Sequence, residues 1–422
     1  MTEFEGLIQS GTRTAWQETK RLKTRMREER YEKKLALMES KYKWLLMMEH
    51  KALTDGRIDF SVDELYEMLY YAYFDARPGK RKTYDVQRVE ANLFDNIYRL
   101  ARDIHDRCYY PSRSEAFIVF DPVIREIFAA SFRDRIVHHL LINICMPWWQ
   151  RHFVRDSYSC RLGKGTNYGV RRAVHHIAKV SDNYQKTAYF VKMDIKGFFM
   201  SMDRRKLMEL AVSGAHSQFR EFGPLGRLAA FLWRQIIMDD PLEEVRIRGK
   251  VKDWNHLPRD KSLFFQSKGY GIVIGNLTSQ LLSNVFLDQL DKYIVYTLGY
   301  HHYGRYVDDF YVVINEEQLP QMEKDIERIR AYLAGLGLTM HPNKTRWLRV
   351  DKGVTYLGHH IKNGHIEMDH RYQSKYYQAL VNVMEGVGQL DVVTSYMGGC
   401  INYGCRKMQQ RIWRAAGQNY IV

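Results

Sequence analysis

Hydrophobic positions recur along this chain with two periods, and the switches between them divide it. From Ala15 to Lys51 strong helix formers run without Pro or Gly, which predicts one long helix ended by Thr54-Asp-Gly56. Its second half carries Leu35, Leu37, Met38, Tyr42, Leu45, Leu46 and Met48 as a broadly apolar face. Its first half is polar and basic, with Lys20, Arg21, Lys23, Arg25, Arg27, Arg30, Lys33 and Lys34. Ser61 followed by Glu64 reads as a capping box opening a second helix, with Leu65, Leu69 and Tyr70 on one side. The basic loop Arg77 to Lys82 breaks it, and helix resumes over Gln87 to Cys108. Alternation then takes over: Ala116 to Phe120 and Arg125 to Ala129 read as strands joined around Asp121-Pro122. An apolar helix follows Arg133-Asp-Arg135 and runs through Ile144. Tyr189 to Met193 reads as a strand of a covered sheet ending at Asp194, Phe231 to Ile237 as helix, and Arg246 to Lys252 as a basic hairpin. Trp254 to Phe265 fits neither period. Thr278 or Ser279 would cap a helix running to Leu290, Tyr303 to Ile314 reads as a hairpin, and Leu319 to Leu336 as an amphipathic helix. A short strand follows at Leu338 to Met340, and the last sixty residues are mainly helical.

A chain of 422 residues with 45% hydrophobic composition can bury a large core and accommodates two or three cooperating modules. The 64 Lys and Arg against 49 Asp and Glu leave +15, an excess that favours a polyanionic partner over a merely basic surface. Five Cys without a Cys-x-x-Cys pair argue against a disulfide framework and fit a reducing cytoplasm. Met1-Thr-Glu-Phe-Glu shows no basic leader, and no run is apolar enough for a membrane anchor. Four adjacent His pairs (138/139, 175/176, 301/302 and 359/360) point to opposite faces where they lie on strands, which disfavours a zinc site.

The chemistry concentrates in Tyr303-Gly-Arg-Tyr-Val-Asp-Asp-Phe-Tyr-Val-Val-Ile314, two apolar runs around Asp308 and Asp309. Asp-Asp is a poor hairpin turn, since two-residue turns favour φ > 0 and hence Asn-Gly or Asp-Gly. Adjacent carboxylates repel unless a cation lies between them, and a hard, oxygen-seeking Mg²⁺ meets that need, against the alternative of an acidic surface turn. Asp194, at the end of its strand, supplies a third carboxylate. Three such groups on neighbouring strands can hold two metals about 3.5–4 Å apart, the clamp used in phosphoryl transfer. A second pair, Met238-Asp-Asp240, is followed by Pro241 and reads as a helix end.

These residues resemble the reverse transcriptase palm. Tyr306-Val-Asp-Asp309 resembles its motif C, and Asp194 with Phe199 its motif A. Gly271-Ile-Val-Ile-Gly-Asn-Leu-Thr-Ser-Gln280 resembles motif B in the Ser-Gln form typical of diversity-generating retroelements and related bacterial enzymes. His341-Pro-Asn-Lys-Thr345 looks like motif D and Val354-Thr-Tyr-Leu-Gly358 like motif E. The resemblance implies an α+β right-hand polymerase with fingers, palm and thumb, an antiparallel palm sheet backed by helices, and an N-terminal helical extension. The expected division is a basic extension over 1–60, fingers over 61–185, a palm over 186–361 with a fingers-type insertion at about 241–268, and a helical thumb over 362–422.

On that resemblance the chain is an RNA-directed DNA polymerase, a nucleotidyltransferase using two Mg²⁺ ions, with Mn²⁺ as a substitute. Asp194 and Asp308 would bind both ions with Asp309 as a weaker third ligand, and Lys344 would donate a proton to pyrophosphate or steady its charge. Phe199 would pack beneath the sugar and exclude a 2′-hydroxyl, while Phe198 would point into the core. Arg125, then Arg133, would reach the triphosphate, and Gln280 the templating pair. In Ser159-Cys-Arg-Leu-Gly-Lys-Gly-Thr166, which resembles a fingers motif, Arg161 and Lys164 would meet template phosphates, and Gly275 would allow close approach of nucleic acid. Implied partners are dNTPs, an RNA template or noncoding RNA and the DNA product, with an accessory protein or oligomer engaged through the N-terminal helix. Antiphage defence is the expected setting. A diversity-generating retroelement enzyme, a DNA polymerase working without a template and a non-catalytic RNA-binding scaffold stay open. No RNase H, endonuclease or maturase region is expected after motif E.

Overall fold

The computed structural model describes residues 13–120, 123–219, 223–403 and 405–418. The Asp121-Pro122 turn, the first residues and the Lys20 side chain lie outside them. Helix α1 spans Arg13–Thr54, 42 residues, or about 60 Å at roughly 1.5 Å per residue. Its second half is rooted in the main core by Leu45 and Ala52 and by the ion pair of Lys41 with Asp75. Its first half exposes Arg21, Arg25, Arg27, Arg30, Lys33 and Lys34, yet it is no free arm. Tyr31 closes on Gly163, and Lys23 reaches Gly398 near the far end of the chain.

Helix α2 (Val62–Ala76) opens on the Ser61–Glu64 capping box. The single helix expected over Gln87 to Cys108 is instead α3 (Tyr84–Ala91) and α4 (Leu93–His105), broken where Asn92 takes φ −135° and ψ 55°. Strands β1 (Glu115–Val119) and β2 (Arg125–Ala129) form the antiparallel fingers hairpin. Helix α5 (Phe132–His152) runs past Ile144 and through Pro147, and α6 (Thr166–Val180) follows.

The palm sheet is built on β3 (Ala188–Lys196), followed by the one-turn α7 (Phe198–Ser201), α8 (Arg204–Gln218) and α9 (Pro224–Met238). Arg246–Ile247 is not half of a basic hairpin; as β4 it adds a parallel edge to β1, and three short 3₁₀ turns lead on to Phe265. Helix α10 (Leu277–Lys292) precedes β5 (Tyr303–Tyr306) and β6 (Asp309–Asn315), and α11 (Leu319–Gly335) precedes β7 (Thr339–Met340) and β8 (Arg346–Arg349). The strand order is β5-β6-β3-β7, with β8 also paired to β3, and every pairing is antiparallel.

Alternation along β3 decides what each face meets. Val191, Met193 and Ile195 enter the main core with α5 and α8 to α11, whereas Ala188 and Phe190 pack with α6 and Tyr356 in a second core. Lys192 and Asp194 share that second parity. A small antiparallel sheet, β9 (Val354–Tyr356), β10 (His359–Lys362) and β11 (His365–Met368), turns at Leu357-Gly358, both at positive φ. Helices α12 (His370–Met384), α13 (Leu390–Tyr403) and α14 (Arg406–Gln418) have a core of their own around Tyr376, Leu380, Val393 and Met408. The fold is α+β in the right-hand arrangement, with an antiparallel sheet backed by helices. Among the described residues no helix is long and apolar enough to cross a membrane.

Candidate active site

Register brings the two acidic stretches together. Asp194 on β3 stands directly opposite Asp309, the first residue of β6, and Asp308 occupies the turn beside them. The turn is therefore Val307-Asp308, not Asp308-Asp309. Val307 is held at φ +58°, a conformation that glycine favours and a β-branched residue adopts only under constraint.

The constraint lies underneath. Arg305 is fully buried and bidentate to the equally buried Asp291 at 2.6 and 2.7 Å. Its remaining donors reach Asn284 Oδ1 at 3.2 Å and the Val307 carbonyl at 3.0 Å. Ser159 Oγ accepts from the Val307 amide at 3.2 Å, and Asn284 Nδ2 donates to the Ser159 carbonyl at 2.9 Å. A desolvated guanidinium satisfied on every side fixes the backbone that presents Asp308, and removing either charge would strand the other. Sequence reasoning missed this bracket, whose only signal is an Arg inside an apolar hairpin and an Asp inside an apolar helix.

The three carboxylates do not have equal surroundings. Burial, then the Asp194 charge, pushes the Asp308 carboxyl up to about 6. Asp309 is also raised by burial, but its Oδ2 is ion-paired with Lys192 at 2.7 Å while Oδ1 is buried without a hydrogen-bond partner. Lys192 was likewise missed; its two-residue offset from Asp194 on one strand was the available sign. Asp194 Oδ1 is paired at 2.9 Å with Lys344, whose loop is anchored by the His341 amide on the Asp194 carbonyl. Among the described residues no three acidic, His or Cys side chains enclose one point as a preformed metal cage. The donor set that fits a divalent ion is thus the mutually repelling oxygen pair Asp194 and Asp308. Asp309, drawn toward Lys192 and with one orphaned oxygen, stands beside it.

Phe198 is buried in the main core, whereas Phe199 is half-buried at the turn after Asp194, its carbonyl accepting from the Ile272 amide at 2.9 Å. Helix α10 starts at Leu277 with Asn276 at the cap position, so Thr278 and Ser279 are buried first-turn residues and not caps. Gln280 is exposed on that turn.

Three basic residues depart from expectation. Arg161 is buried with its Nε, Nη1 and Nη2 bonded to Gln150, Val154 and Ser157, so it ties the end of α5 to the loop before α6. Arg133 is bound to Asp103 at 2.8 Å, Asp134 at 3.2 Å and the Tyr110 carbonyl, which makes it a structural bracket at the start of α5. Lys164 donates to the Arg155 carbonyl and lies over the Tyr168 ring, and burial lowers its ammonium to about 7. Arg125 stays exposed at the start of β2. The glycine requirement at Gly275 has a local cause: at φ +125° a Cβ would lie 2.8 Å from Ile127 and 2.9 Å from the Phe128 carbonyl, so the close approach to β2 alone requires glycine.

A sequence model of the reverse transcriptase (RNA-dependent DNA polymerase) family matches residues 123–361. Protein YkfC of Escherichia coli strain K12 is 23% identical over 270 residues, 56% of this chain and 63% of its own length, so this chain spans less than two thirds of that relative. Among solved structures, apo telomerase from Candida tropicalis truncated from its C-terminal domain is similar at a TM-score of 0.43 and 13% identity, over 61% of this chain and 55% of that one. The same organism's telomerase in complex with a TWJ fragment of telomeric RNA gives 0.46 and 11%, over 73% and 55%.

Proposed function

The chain belongs to the reverse transcriptase family, and from that premise we propose that it is an RNA-directed DNA polymerase extending a primer with dNTPs. The observation that carries the reading is the β3–β6 register, which sets Asp194 opposite Asp309 with Asp308 at the adjacent turn. Asp194 and Asp308 would hold Mg²⁺, or Mn²⁺ in its place. When bound, the metal lowers the pKa of the attacking hydroxyl and offsets phosphate charge.

The protein's own groups do the rest. Arg305 and Asp291 hold the turn so that Asp308 needs no reorganisation. Lys344, 53% exposed and already on Asp194, is placed to exchange that carboxylate for the departing pyrophosphate and donate to it. Phe199 is the floor beneath the sugar, where a ring excludes a 2′-hydroxyl; Arg125 approaches the triphosphate and Gln280 the templating pair.

We divide the chain into a basic extension (1–60), fingers (61–185), palm (186–361, with the insertion at about 241–268) and thumb (362–422). The Ser279-Gln280 form of motif B supports a bacterial, cytoplasmic enzyme and is shared with diversity-generating retroelements; the long basic α1 is what favours antiphage defence, with a noncoding RNA or partner protein, ahead of such a retroelement. The test is primer extension in Mg²⁺ with dNTPs, with and without an RNA template. Wild type should extend only with the template. Extension without it, or by a folded Asp308→Ala protein, would overturn the assignment.

A further inference from the structure

Between α9 and α10 the segment Arg246–Tyr270 has almost no regular structure, yet it is firmly seated. Glu126, buried on β2, accepts from Trp254 Nε1 at 2.6 Å, Ser262 Oγ at 2.7 Å and the Leu263 amide at 2.6 Å. Leu263 joins Ala116, Phe128 and Met200 in a small separate core. One buried carboxylate and four apolar side chains thus dock the segment on the fingers hairpin.

What it turns outward is unusual for a structural filler. The segment has seven Lys or Arg and two acids, and all seven cations are exposed. Large rings are exposed with them: Phe265 at 54%, Tyr270 at 42% and, from the hairpin, Phe120 at 50%. Arg259 lies over the Phe265 ring at 5.0 Å, and Phe120 meets His256 at 5.9 Å. The surface also borders the turn that follows Asp194. A Cβ on Gly197, three residues after Asp194, would sit 3.7 Å from the Asp260 carbonyl, one on Gly271 would strike Leu263, and Tyr270 bridges to Asp203.

We propose that the exposed cationic and aromatic face of Arg246–Tyr270 binds single-stranded RNA, the unpaired part of the template, beside the turn that follows Asp194. Cations that follow phosphates together with rings that stack on bases are what an unpaired strand uses. Duplex bases are already stacked and offer these rings nothing. The surplus of positive charge also disfavours a neutral or basic protein surface as the occupant.

Which strand lies there rests on the polymerase reading; single-strand binding itself does not. The test is fluorescence anisotropy of the full chain with a labelled oligouridine and with a blunt RNA–DNA duplex. One variant is Phe265→Ala with Tyr270→Ala, the other Arg259→Ala, Lys261→Ala and Lys268→Ala. All five side chains are exposed, and a melting curve checks that the fold is kept. Each variant should weaken oligouridine binding about tenfold or more and duplex binding less than about threefold. The cation variant should also lower the salt slope for the single strand by roughly two. Unchanged oligouridine affinity, or equal loss on both ligands, overturns the proposal. A wild type that binds oligouridine through this face but extends no primer overturns the polymerase reading alone.

Discussion

The chain contains two Asp-Asp pairs, and the first acid of each, Asp239 and Asp308, is raised alike in entirely different surroundings. At the end of α9 the Asp239 carboxyl is pushed up to about 6, as at Asp308, by burial and then by Asp134. A raised carboxyl therefore does not single out a catalytic acid here. Register does. Asp308 adjoins a turn whose neighbour faces Asp194 across a sheet, with Lys344 at hand. Asp239 caps a helix, its carbonyl accepting from Arg204 Nη1 at 2.8 Å, while Asp240 receives the Leu242 amide at 3.2 Å. One pair is spent on ending a helix; the other is left for chemistry.

The largest effect should separate the pairs outright. Asp308→Ala should reduce Mg²⁺-dependent dNTP incorporation about a thousandfold or more, about 4 kcal/mol of barrier. Asp239→Asn and Asp240→Asn should stay within about threefold. Single-turnover rates on one primer–template decide it, and comparable losses at both pairs would refute the distinction drawn from register.

Next comes the buried Arg305–Asp291 ion pair beneath the active turn; at the helix-end pair the buried Arg204 holds backbone carbonyls instead. Arg305→Met or Asp291→Asn strands a buried charge and should cost about 3 kcal/mol or more in stability, with activity lost in parallel. The double variant Arg305→Met/Asp291→Leu should recover part of that stability but not the activity, because the Val307 carbonyl stays unheld. Denaturant melts beside rate measurements read both. Full recovery of rate by the double variant would show that the turn needs no bracket.

Phe199 sharpens the contrast from the Asp194 side. Phe199→Ala should shift the ratio of kcat/KM for matched dNTP and rNTP about tenfold or more toward rNTP, since only the sugar floor is removed. Phe198→Ala should instead destabilise the core by roughly 3 kcal/mol with little change in that ratio. A ratio that follows Phe198 would place the turn one residue out of register.

Much of this was legible because it depends on local rules. The strand pattern, the Ser61–Glu64 box and the helix end at Met238 follow from period, capping and Pro241, and the acids stood out by being costly among apolar neighbours. What was not legible depends on partners distant in sequence. Arg161 read as a phosphate ligand because it stands beside glycines, and Arg133 because the resemblance implies a basic residue over the triphosphate; only the folded chain shows their donors on Gln150 and Asp103. The contact of Gly275 with β2, which by itself requires glycine, also had no sign in the sequence. Residues 254–265 fit no period, because their order is imposed by the buried Glu126, more than a hundred residues away, and by the apolar cluster around Leu263.

The smallest effect tests whether the two raised carboxyls differ in use. A carboxyl whose pKa is higher in the folded than in the unfolded protein favours folding fully at pH below its unfolded value near 3.8 and loses that contribution as pH rises through about 6. Above pH 6, in the absence of divalent metal, both Asp308 and Asp239 carry charge the fold disfavours. Asp308→Asn and Asp239→Asn should each then raise stability by about 1–2 kcal/mol at pH 8, a gain that shrinks toward pH 4. Mg²⁺ should divide them. At pH 8 it should raise the melting temperature of wild type and of Asp239→Asn, because Asp194 and Asp308 bind it in the folded state, and leave Asp308→Asn nearly unmoved. The metal response of wild type should fade below pH 6 as Asp308 takes up its proton. Equal Mg²⁺ stabilisation of the two variants would mean that Asp308 holds no metal, and that its likeness to Asp239 in protonation extends to function.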